Sequence, residues 1–256
     1  MATSPFDLSG KVAIVTGGNG GIGLGMAQGL AAAGAAIAIV GRNAVKSNDA
    51  VASLTRSGAR AVALVADVTV KADAERMVAE TKRAFGTVDI LINNAGINIR
   101  KPAQDLALDE WHKVMDTNLT SALICAQAVY PVMKAARSGK IINIGSMMSI
   151  FAASFAPAYA ASKGGIVQFT KSLACAWAAD NIQANAVLPG WIDTELTQGA
   201  RAQVDGLHDR VLARTPAARW GVPADMSGIA VFLSSHASDF ITGTAIPVDG
   251  GYSVMS

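Results

Sequence analysis

Short runs of apolar residues alternate along the chain with longer stretches in which apolar residues recur every three or four positions. Most of the short runs are apolar at every position, which is typical of strands covered by helices on both sides of a parallel sheet. We predict strands at Val12–Thr16, Ala35–Val40, Ala61–Ala66, Ile90–Asn93, Lys140–Ile144, Gln183–Leu188 and Ala245–Val248.

The longer stretches predict helices between these strands. Regular alternation of strand and helix implies right-handed crossovers and a doubly wound sheet. The fold class predicted is therefore α/β, a single Rossmann-type doubly wound parallel sheet of about seven strands with helices on both faces. The helices are predicted at Gly21–Ala33, Val45–Ser57, Lys71–Phe85, Asp109–Ala136, Pro157–Ala179 and Pro223–Ser234.

One long segment, from Trp191 to Gly221, has no strong periodicity. A loop of that length inside a compact domain is usually functional, so we predict a substrate lid at about 191–221. The chain has no linker, charge block or internal repeat. Residues 1–256 are therefore expected to form one dinucleotide-binding and catalytic domain, an expectation that draws on the motifs described below.

Composition narrows the class of protein. Hydrophobic residues make up 51% of the 256 residues and charged residues 16%, so little of the chain can be a disordered tail. The formal net charge is +2 without a run of Lys or Arg, which favours neither nucleic acid nor an anionic membrane as a partner. The two cysteines, Cys125 and Cys175, are expected to be small buried side chains in a reducing compartment.

The N-terminus has no basic stretch followed by an apolar core, so we expect no signal peptide. Leu24–Gly41 is uncharged over a length that approaches a membrane-spanning helix. Glycines interrupt this stretch, and Gly34 falls where a helix would end and a strand begin. We predict a buried helix followed by a buried strand, and a soluble cytoplasmic protein.

Two side chains suited to proton transfer lie four residues apart, Tyr159 and Lys163. Residues at that spacing share one face of a helix. A tyrosine has a pKa of about 10, and a cation about 4 Å away contributes on the order of 4 kcal/mol at an effective dielectric near 20. We predict that Lys163 lowers the pKa of Tyr159 into a range useful for acid–base catalysis. Taken alone, an incidental helical pair would explain this spacing more often.

The first predicted strand runs into the glycine-rich turn 16–23 and then directly into a helix. Glycines allow a sharp turn and remove the Cβ atoms that would keep a pyrophosphate from the backbone. The helix N-terminus adds unpaired N–H groups and the positive end of its dipole. The turn therefore predicts a dinucleotide site.

These features, together with others further along the chain, resemble the short-chain dehydrogenase/reductase family from about Leu8 to the end. The glycine spacing is Gly-x-x-x-Gly-x-Gly rather than Gly-x-Gly-x-x-Gly. The other motifs are Asn93–Gly96, Asn118, Ser146, Tyr159-x-x-x-Lys163, Pro189-Gly190 and Ile241-Thr242-Gly243 followed by Val248–Gly251. The resemblance implies an oxidoreductase that moves a hydride between a nicotinamide cofactor and a carbonyl or secondary alcohol.

The resemblance also implies roles for individual residues. Tyr159 would be the general acid/base, and Ser146 would bind the substrate oxygen beside it. Lys163 would act on Tyr159 and hold the nicotinamide ribose, while Asn118 would link Lys163 to a proton relay through water. The residues implied to line the dinucleotide are Gly17, Asn19, Gly21, Ile22, Gly23, Arg42, Asp67, Val68, Asn94, Ala95, Gly96, Tyr159, Lys163, Pro189, Gly190, Ile192 and Thr194.

Several of these positions have a simpler structural explanation as well. Asp67 would also suit a helix N-cap, Asn118 could be satisfied by a backbone carbonyl, and Arg42 could be a surface side chain. An acidic residue at the end of the second strand would select NAD, but that strand is followed by Arg42 and Asn43. The guanidinium of Arg42 can pair with a 2′-phosphate. NADP is therefore favoured over NAD, although the glycine-rich turn lacks the basic residue that many NADP-using relatives carry.

The substrate is the least determined feature. Apolar side chains that follow the fifth strand, Met147, Met148, Phe151 and Phe155, indicate an apolar wall, although half of them would also suit the core or a subunit interface. Arg100, Lys101, Arg201, His208 and Arg210 offer cations for a carboxylate or phosphate, although solvated loop charge is the more common explanation for each of them. The residues predicted to contact substrate are Asn98, Met148, Phe155 and Trp191.

The stretch 94–102 resembles the sugar-acid and polyol branch of the family, so a sugar acid or polyol is the preferred substrate. A 3-oxoacyl thioester or hydrophobic ketone is the alternative, and a non-catalytic dinucleotide-binding regulatory protein is an alternative of another class. Neither the scattered histidines nor the carboxylates have metal-ligand spacing, and no metal site is predicted. From the family we also expect a homotetramer.

Overall fold

The computed structural model describes residues 4–255 and contains a sheet of seven parallel strands. The strands lie in the order β3-β2-β1-β4-β5-β6-β7, and every neighbouring pair is parallel. This confirms the predicted doubly wound sheet. The strands are β1 Val12–Thr16, β2 Ala36–Gly41, β3 Ala61–Val65, β4 Ile90–Asn93, β5 Gly139–Ile144, β6 Ile182–Pro189 and β7 Ala245–Val248.

Helices of at least eight residues connect these strands and form a layer on each face of the sheet. They are α1 Gly21–Ala32, α2 Ala44–Arg56, α3 Lys71–Phe85, α4 Leu108–Met115, α5 Ser121–Ala136, α6 Pro157–Trp177, α7 Glu195–Gln203, α8 Leu207–Arg214 and α9 Ser227–Ser234.

Two buried clusters of apolar side chains hold the layers together. One joins α1, α2 and α9 to one face of the sheet, and the other joins α3, α5 and α6 to the opposite face. Along β1 the side chains alternate between them, since Val15 belongs to the first cluster and Ile14 to the second. Burial on both faces explains why the strands are apolar at nearly every position.

The segment predicted as one helix at Asp109–Ala136 is divided by a π-helical turn, Asp116–Thr120. Within this turn, the amide of Asn118 donates to the Ile97 carbonyl oxygen at 2.9 Å and its Oδ1 accepts from the Ile97 N–H at 2.8 Å. Single π turns of this kind frequently occur at functional sites. The periodicity did not reveal the turn because the buried positions Val114, Asn118, Ala122 and Cys125 keep a spacing of three or four through it.

The predicted lid segment is not an irregular loop, because it contains α7 and α8. A small apolar cluster holds these two helices together, built on Ala200, Leu207, Val211 and Trp220. The two ends of the segment are joined by backbone hydrogen bonds, from Gly221 N–H to the Trp191 carbonyl at 2.9 Å and from Asp193 N–H to the Gly221 carbonyl at 2.8 Å. The segment therefore leaves and re-enters the domain at one point.

The prediction that both cysteines are buried is right for Cys125 and wrong for Cys175. Cys125 is buried against the sheet, but Cys175 is exposed. In α6 the buried face runs through Ile166, Thr170 and Leu173, and a residue two positions beyond Leu173 points away from the sheet. Composition alone did not show on which side of the helix Cys175 would fall.

Leu24–Gly41 is divided between α1 and β2, as predicted. By length and hydropathy alone, the stretch Leu108–Ala136 is long and apolar enough to cross a membrane, and a third of its most apolar window is buried. In the fold, α5 packs on α3 and α4 packs on α6. The first three residues of the N-terminus considered for a signal peptide lie outside the described residues.

Candidate active site

The site lies at the carboxyl ends of the strands, where β1 and β4 are neighbours although other strands separate them in sequence. Ligands of doubly wound sheets bind at such a switch point. The glycine-rich turn follows β1, Asn94 to Gly96 follow β4, and Ser146 follows β5. Residues far apart in sequence are brought together at one edge of the sheet.

The glycine-rich turn is packed tightly against the segment after β4. Gly17 has φ +61°, and a Cβ on it would lie 2.9 Å from the Asn94 amide nitrogen. That amide donates to the carbonyl oxygens of Thr16 and Gly17, each at 3.0 Å. These contacts fix the turn in a conformation that favours glycine at position 17.

The first turn of α1 is suited to an anion. The helix begins at Gly21 after Gly20, no side chain caps it, and its first turn has no acidic residue. Its N–H groups and its dipole therefore face this site without a competing carboxylate. The local chemistry fits the pyrophosphate of a dinucleotide.

A cavity of about 640 Å³ extends from this turn along the end of β2. A nucleoside with its phosphates fits its size and its polar rim. Seven residues predicted to hold the dinucleotide line this cavity, namely Gly17, Asn19, Arg42, Asp67, Val68, Ala95 and Gly96.

Asp67 does not cap a helix. Its carboxylate accepts hydrogen bonds from the Thr69 N–H at 3.0 Å and the Thr69 hydroxyl at 2.7 Å, and these bonds lower its pKa. α3 begins only at Lys71, after Val70. The Arg42 guanidinium lies 3.9 Å from the Asp67 carboxylate and its side chain is 68% exposed, so it is available to another anion.

A second, smaller cavity of about 150 Å³ adjoins the turn on the β5 and β6 side. It contains all four residues predicted to contact substrate, Asn98, Met148, Phe155 and Trp191. It also contains Ser146, Tyr159 and Lys163, and the predicted cofactor residues Ile22, Asn94, Gly96, Pro189, Gly190, Ile192 and Thr194. Gly21 and Gly23 line neither cavity and belong to the first turn of α1.

Tyr159 and Ser146 face each other across the smaller cavity. Tyr159 lies in the first turn of α6, which begins at Pro157, and the neighbouring Ser146 acts to lower the pKa of its hydroxyl. The Ser146 hydroxyl also accepts from the Met148 N–H at 3.1 Å, which fixes its position. Two hydroxyl groups therefore converge on the space where a substrate oxygen could bind.

Lys163 is buried beneath this pair, with 4% of its surface exposed. Its ammonium donates to the Ile144 carbonyl oxygen at 2.6 Å and lies 5.6 Å from the centre of the Tyr159 ring. Burial lowers the pKa of Lys163 to about 8. This side chain connects α6 to the end of β5, directly before Ser146.

The expected lowering of the Tyr159 pKa by Lys163 is wrong for this arrangement. Burial raises the pKa of Tyr159, and the opposing influences are the neighbouring Ser146 and the positive charge of Arg100. The ammonium of Lys163 is committed to a backbone carbonyl, and burial disfavours the charged form of both groups. The spacing in sequence placed the two residues on one face but did not account for their burial.

The depressed pKa of Lys163 has a consequence for stability. Below pH 8, Lys163 is charged in both states, and burying that charge destabilises the folded protein by its full amount. Between pH 8 and the pKa of about 10.5 in the unfolded chain, the unfolded chain binds more protons than the folded one, so stability rises with pH. The full cost of burying the charge is about 3 kcal/mol, and Lys163→Met also removes a hydrogen bond worth about 1 kcal/mol. We expect the variant to be about 1–3 kcal/mol more stable than the parent at pH 7 in urea unfolding.

The gain should shrink as pH rises from 8 towards 10. Lys171→Met, at an exposed position of the same helix, is the matched control and should change stability by less than about 0.5 kcal/mol. A gain that stays constant between pH 7 and pH 10 would show that the buried charge of Lys163 is not its source.

Asn118 is buried and fully hydrogen-bonded. Besides both backbone groups of Ile97, its amide reaches the Ser162 hydroxyl at 3.0 Å, and Ser162 in turn donates to the Tyr159 carbonyl at 2.7 Å. The side chain therefore joins the segment after β4 to the first turn of α6. These bonds account for the side chain and leave the relay role a proposal.

The site contains two further cationic residues. The sequence left the role of Arg100 open, and Lys46 was not among the predicted site residues. Arg100 lines the smaller cavity, and its charge acts on Tyr159. Lys46 lines the larger cavity with Arg42. The available signal was their position in the sequence, since both lie within five residues of the end of β2, where the dinucleotide was predicted to bind.

A family model described as enoyl-(acyl carrier protein) reductase matches residues 17–253. The chain is similar to the 2-dehydro-3-deoxy-D-gluconate 5-dehydrogenase of Formosa agariphila (40% identity over 252 residues; 98% of this chain and 96% of that protein). It is also similar to that of Escherichia coli K12 (42% over 257 residues; 98% and 99%).

Among solved structures, the chain resembles a gluconate 5-dehydrogenase from Burkholderia cenocepacia J2315 in complex with NADP and tartrate. The TM-score is 0.93 at 41% identity, and the match covers 98% of each chain.

Proposed function

Since the chain belongs to the short-chain dehydrogenase/reductase family and is an NAD(P)-dependent oxidoreductase acting on CH–OH groups, we propose that its substrate is a sugar acid. The observation that carries this proposal is the polar character of an otherwise apolar cavity. Asn98 Oδ1, Arg100 Nε and Trp191 Nε1 are buried without a hydrogen-bond partner, and all three residues line the cavity with Tyr159.

A polyhydroxy acid suits these groups better than a hydrocarbon chain does. Buried polar atoms without partners are costly, and hydroxyl groups of a sugar acid could offer them partners. Arg100 supplies the only cation among the cavity residues besides Lys163, and a guanidinium binds carboxylates well. The gluconate derivatives named for the relatives are substrates of this kind.

We assign the acid–base step to Tyr159. In reduction, its hydroxyl would give a proton to the substrate oxygen as the carbonyl carbon receives a hydride, and in oxidation the phenolate would take that proton. The bound nicotinamide dinucleotide supplies or accepts the hydride. Ser146 would donate a hydrogen bond to the same oxygen and so stabilise negative charge developing there.

Lys163 and Asn118 would support this step rather than contact the substrate. Lys163 would hold α6 against the end of β5 through its bond to the Ile144 carbonyl oxygen, which keeps Tyr159 in place. Asn118 would maintain the position of α6 through Ser162. These roles, like those of the cofactor residues, are proposals based on position and chemistry.

The proposal is tested by NADPH oxidation with a panel of ketones. We expect six-carbon keto sugar acids to give the highest kcat/KM and neutral keto sugars of equal length to give much less. The second candidate, a 3-oxoacyl thioester or hydrophobic ketone, is favoured by a groove that continues the cavity past Met148, Phe155 and Trp191. A kcat/KM that is highest for long-chain ketones would select it instead.

We further propose that NADP is preferred over NAD, with Arg42 as the ligand of the 2′-phosphate. Arg42 lies at the end of β2, lines the larger cavity and is only loosely paired with Asp67. In a fluorescence titration, NADPH should bind at least about tenfold more tightly than NADH, as expected of a hydrogen bond between charged groups. Arg42→Ala should remove that advantage and leave NADH binding unchanged.

Arg60 is a cation that contacts the Phe85 ring away from the cavity. Arg60→Ala is therefore the control and should leave the preference for NADPH over NADH intact. A parent protein that binds NADH as tightly as NADPH, with no effect of Arg42→Ala, would contradict the proposed preference. Oxidation of a polyol or sugar acid with NAD would then be the better assay.

We also propose a cytoplasmic homotetramer. The described surface has apolar positions suited to burial between copies, among them Leu123 on α5, Cys175 on α6 and the fully exposed Phe240 shortly before the edge strand β7. We propose a second contact between copies along the C-terminal strand and tail, Ala245 to Ser256, of which Ser256 lies outside the described residues. Light scattering at micromolar protein should give about four times the chain mass of 26.2 kDa, and a monomer would contradict the proposal.

A further inference from the structure

An ion pair connects the nucleotide-binding half of the molecule to the lid. Lys46 lies in the first turn of α2, and its ammonium is 2.8 Å from both carboxylate oxygens of Glu195, the first residue of α7. The two residues are 149 positions apart in the sequence. The contact therefore depends on how the lid sits on the domain.

The pair lies beside the proposed dinucleotide site. Lys46 lines the larger cavity together with Arg42 and Asn43. A Cβ on Gly21 would lie 3.2 Å from the Thr194 methyl group, so the start of α7 lies against the start of α1. Glu195 thus brings a carboxylate close to a site whose chemistry favours phosphates.

The two cations of this cavity are paired differently. Arg42 is 3.9 Å from Asp67, whereas Lys46 makes a close two-oxygen contact with Glu195. The glycine-rich turn itself supplies no cation, so Lys46 is the second cation, beside Arg42, that lines this cavity. A phosphate monoester carries a charge of about −1.5 to −2 at pH 7, which exceeds that of the carboxylate it would have to displace.

We propose that Lys46 exchanges partners, binding Glu195 of the lid in the cofactor-free protein and the 2′-phosphate when NADP(H) binds. Glu195 is then a competitor of the cofactor for one ammonium group, and the lid is released from α2 by NADP(H) but not by NAD(H). This inference rests on the proposed preference for NADP(H).

Exchange is feasible because the pair is exposed. The side chains of Lys46 and Glu195 are 49% and 84% exposed, and ion pairs of this kind contribute little to stability. In the exchange, NADP(H) must break the ion pair to bind Lys46. The free energy by which the pair holds the lid is therefore lost from the free energy of NADP(H) binding. Removing the competing carboxylate should therefore tighten the binding of NADP(H).

The test is a cycle of variants in which dissociation constants for NADPH and NADH are measured by fluorescence titration. Lys46→Gln should weaken NADPH binding by about tenfold, as expected for a hydrogen bond between charged groups, and leave NADH binding within about twofold. Glu195→Gln should tighten NADPH binding by about two- to fivefold, the range of an exposed ion pair. In the Lys46→Gln background, Glu195→Gln should have no effect.

Lys71→Gln and Glu75→Gln, which break an exposed pair on α3, are the matched controls and should change neither constant. If Glu195→Gln tightens NADPH and NADH equally, or acts equally in the Lys46→Gln background, the carboxylate acts only by general repulsion and the exchange is overturned. An unchanged NADPH affinity in Lys46→Gln overturns it as well. Failure of the NADP preference itself is recognised separately, because the parent would then bind both cofactors equally.

Discussion

Replacing Tyr159 with phenylalanine is expected to lower kcat by about 10²- to 10⁴-fold, the usual contribution of a positioned general acid. The variant removes one hydroxyl and keeps the ring that packs in the cavity wall. Because the hydroxyl lines the cavity beside Ser146, its loss removes the group that would give the substrate oxygen its proton. Initial rates of NADPH oxidation with a keto sugar acid measure the effect.

The affinity for NADPH separates loss of chemistry from loss of folding. It should change by less than about threefold in Tyr159→Phe, because the proposed phosphate and ribose contacts remain. Tyr130→Phe is the matched control, since that hydroxyl donates to Asp180 at 2.8 Å away from the cavity, and it should retain the parent kcat. A Tyr159→Phe enzyme with more than a tenth of the parent kcat would remove Tyr159 from the acid–base role.

Replacing Arg100 with methionine is expected to lower kcat/KM for a keto sugar acid by about 10- to 100-fold. Hydrogen bonds to charged groups contribute about 1.5–3 kcal/mol, and each 1.36 kcal/mol is a factor of ten. The loss should be confined to substrates with a carboxylate, because Arg100 is the cation that the cavity offers to it. A neutral keto sugar of the same length should be reduced by parent and variant at similar kcat/KM.

Arg100 also contacts the lid, and this second role needs its own control. The guanidinium donates to the Leu196 carbonyl at 2.8 Å and to Gln203 Oε1 at 3.2 Å. Gln203→Leu removes one lid contact and keeps the cation, so it should retain selectivity for the acid. Equal losses for acidic and neutral substrates in Arg100→Met would mean that Arg100 only positions the lid.

The sheet could be predicted almost completely from the sequence, because buried parallel strands are apolar on both faces and glycine or polar residues separate them. β1, β4 and β7 begin and end where the apolar runs do. The order of the strands in the sheet did not follow from the apolar pattern alone, and predicting it also required the topology of a doubly wound fold. The motif residues also met at one edge, since the strand ends that bear them are neighbours in space.

Other features depend on contacts that a one-dimensional pattern does not contain. The helices α7 and α8 are held by a small cluster around Trp220 that forms only when the two ends of the lid meet. The pKa of Tyr159 follows from burial rather than from its spacing to Lys163. The contact of Lys46 with Glu195 joins distant residues, each of which is an ordinary surface charge in the sequence.

Transfer of deuterium from NADPH labelled at C4 of the nicotinamide tests the central claim most directly. Purified protein would be incubated with labelled NADPH and a six-carbon keto sugar acid, and the product analysed by mass spectrometry. The account predicts one deuterium on the former carbonyl carbon with the parent protein and a much slower appearance of that product with Tyr159→Phe. NADPH that binds with the expected affinity but gives no labelled product from sugar acids or from the other ketones of the panel would contradict it.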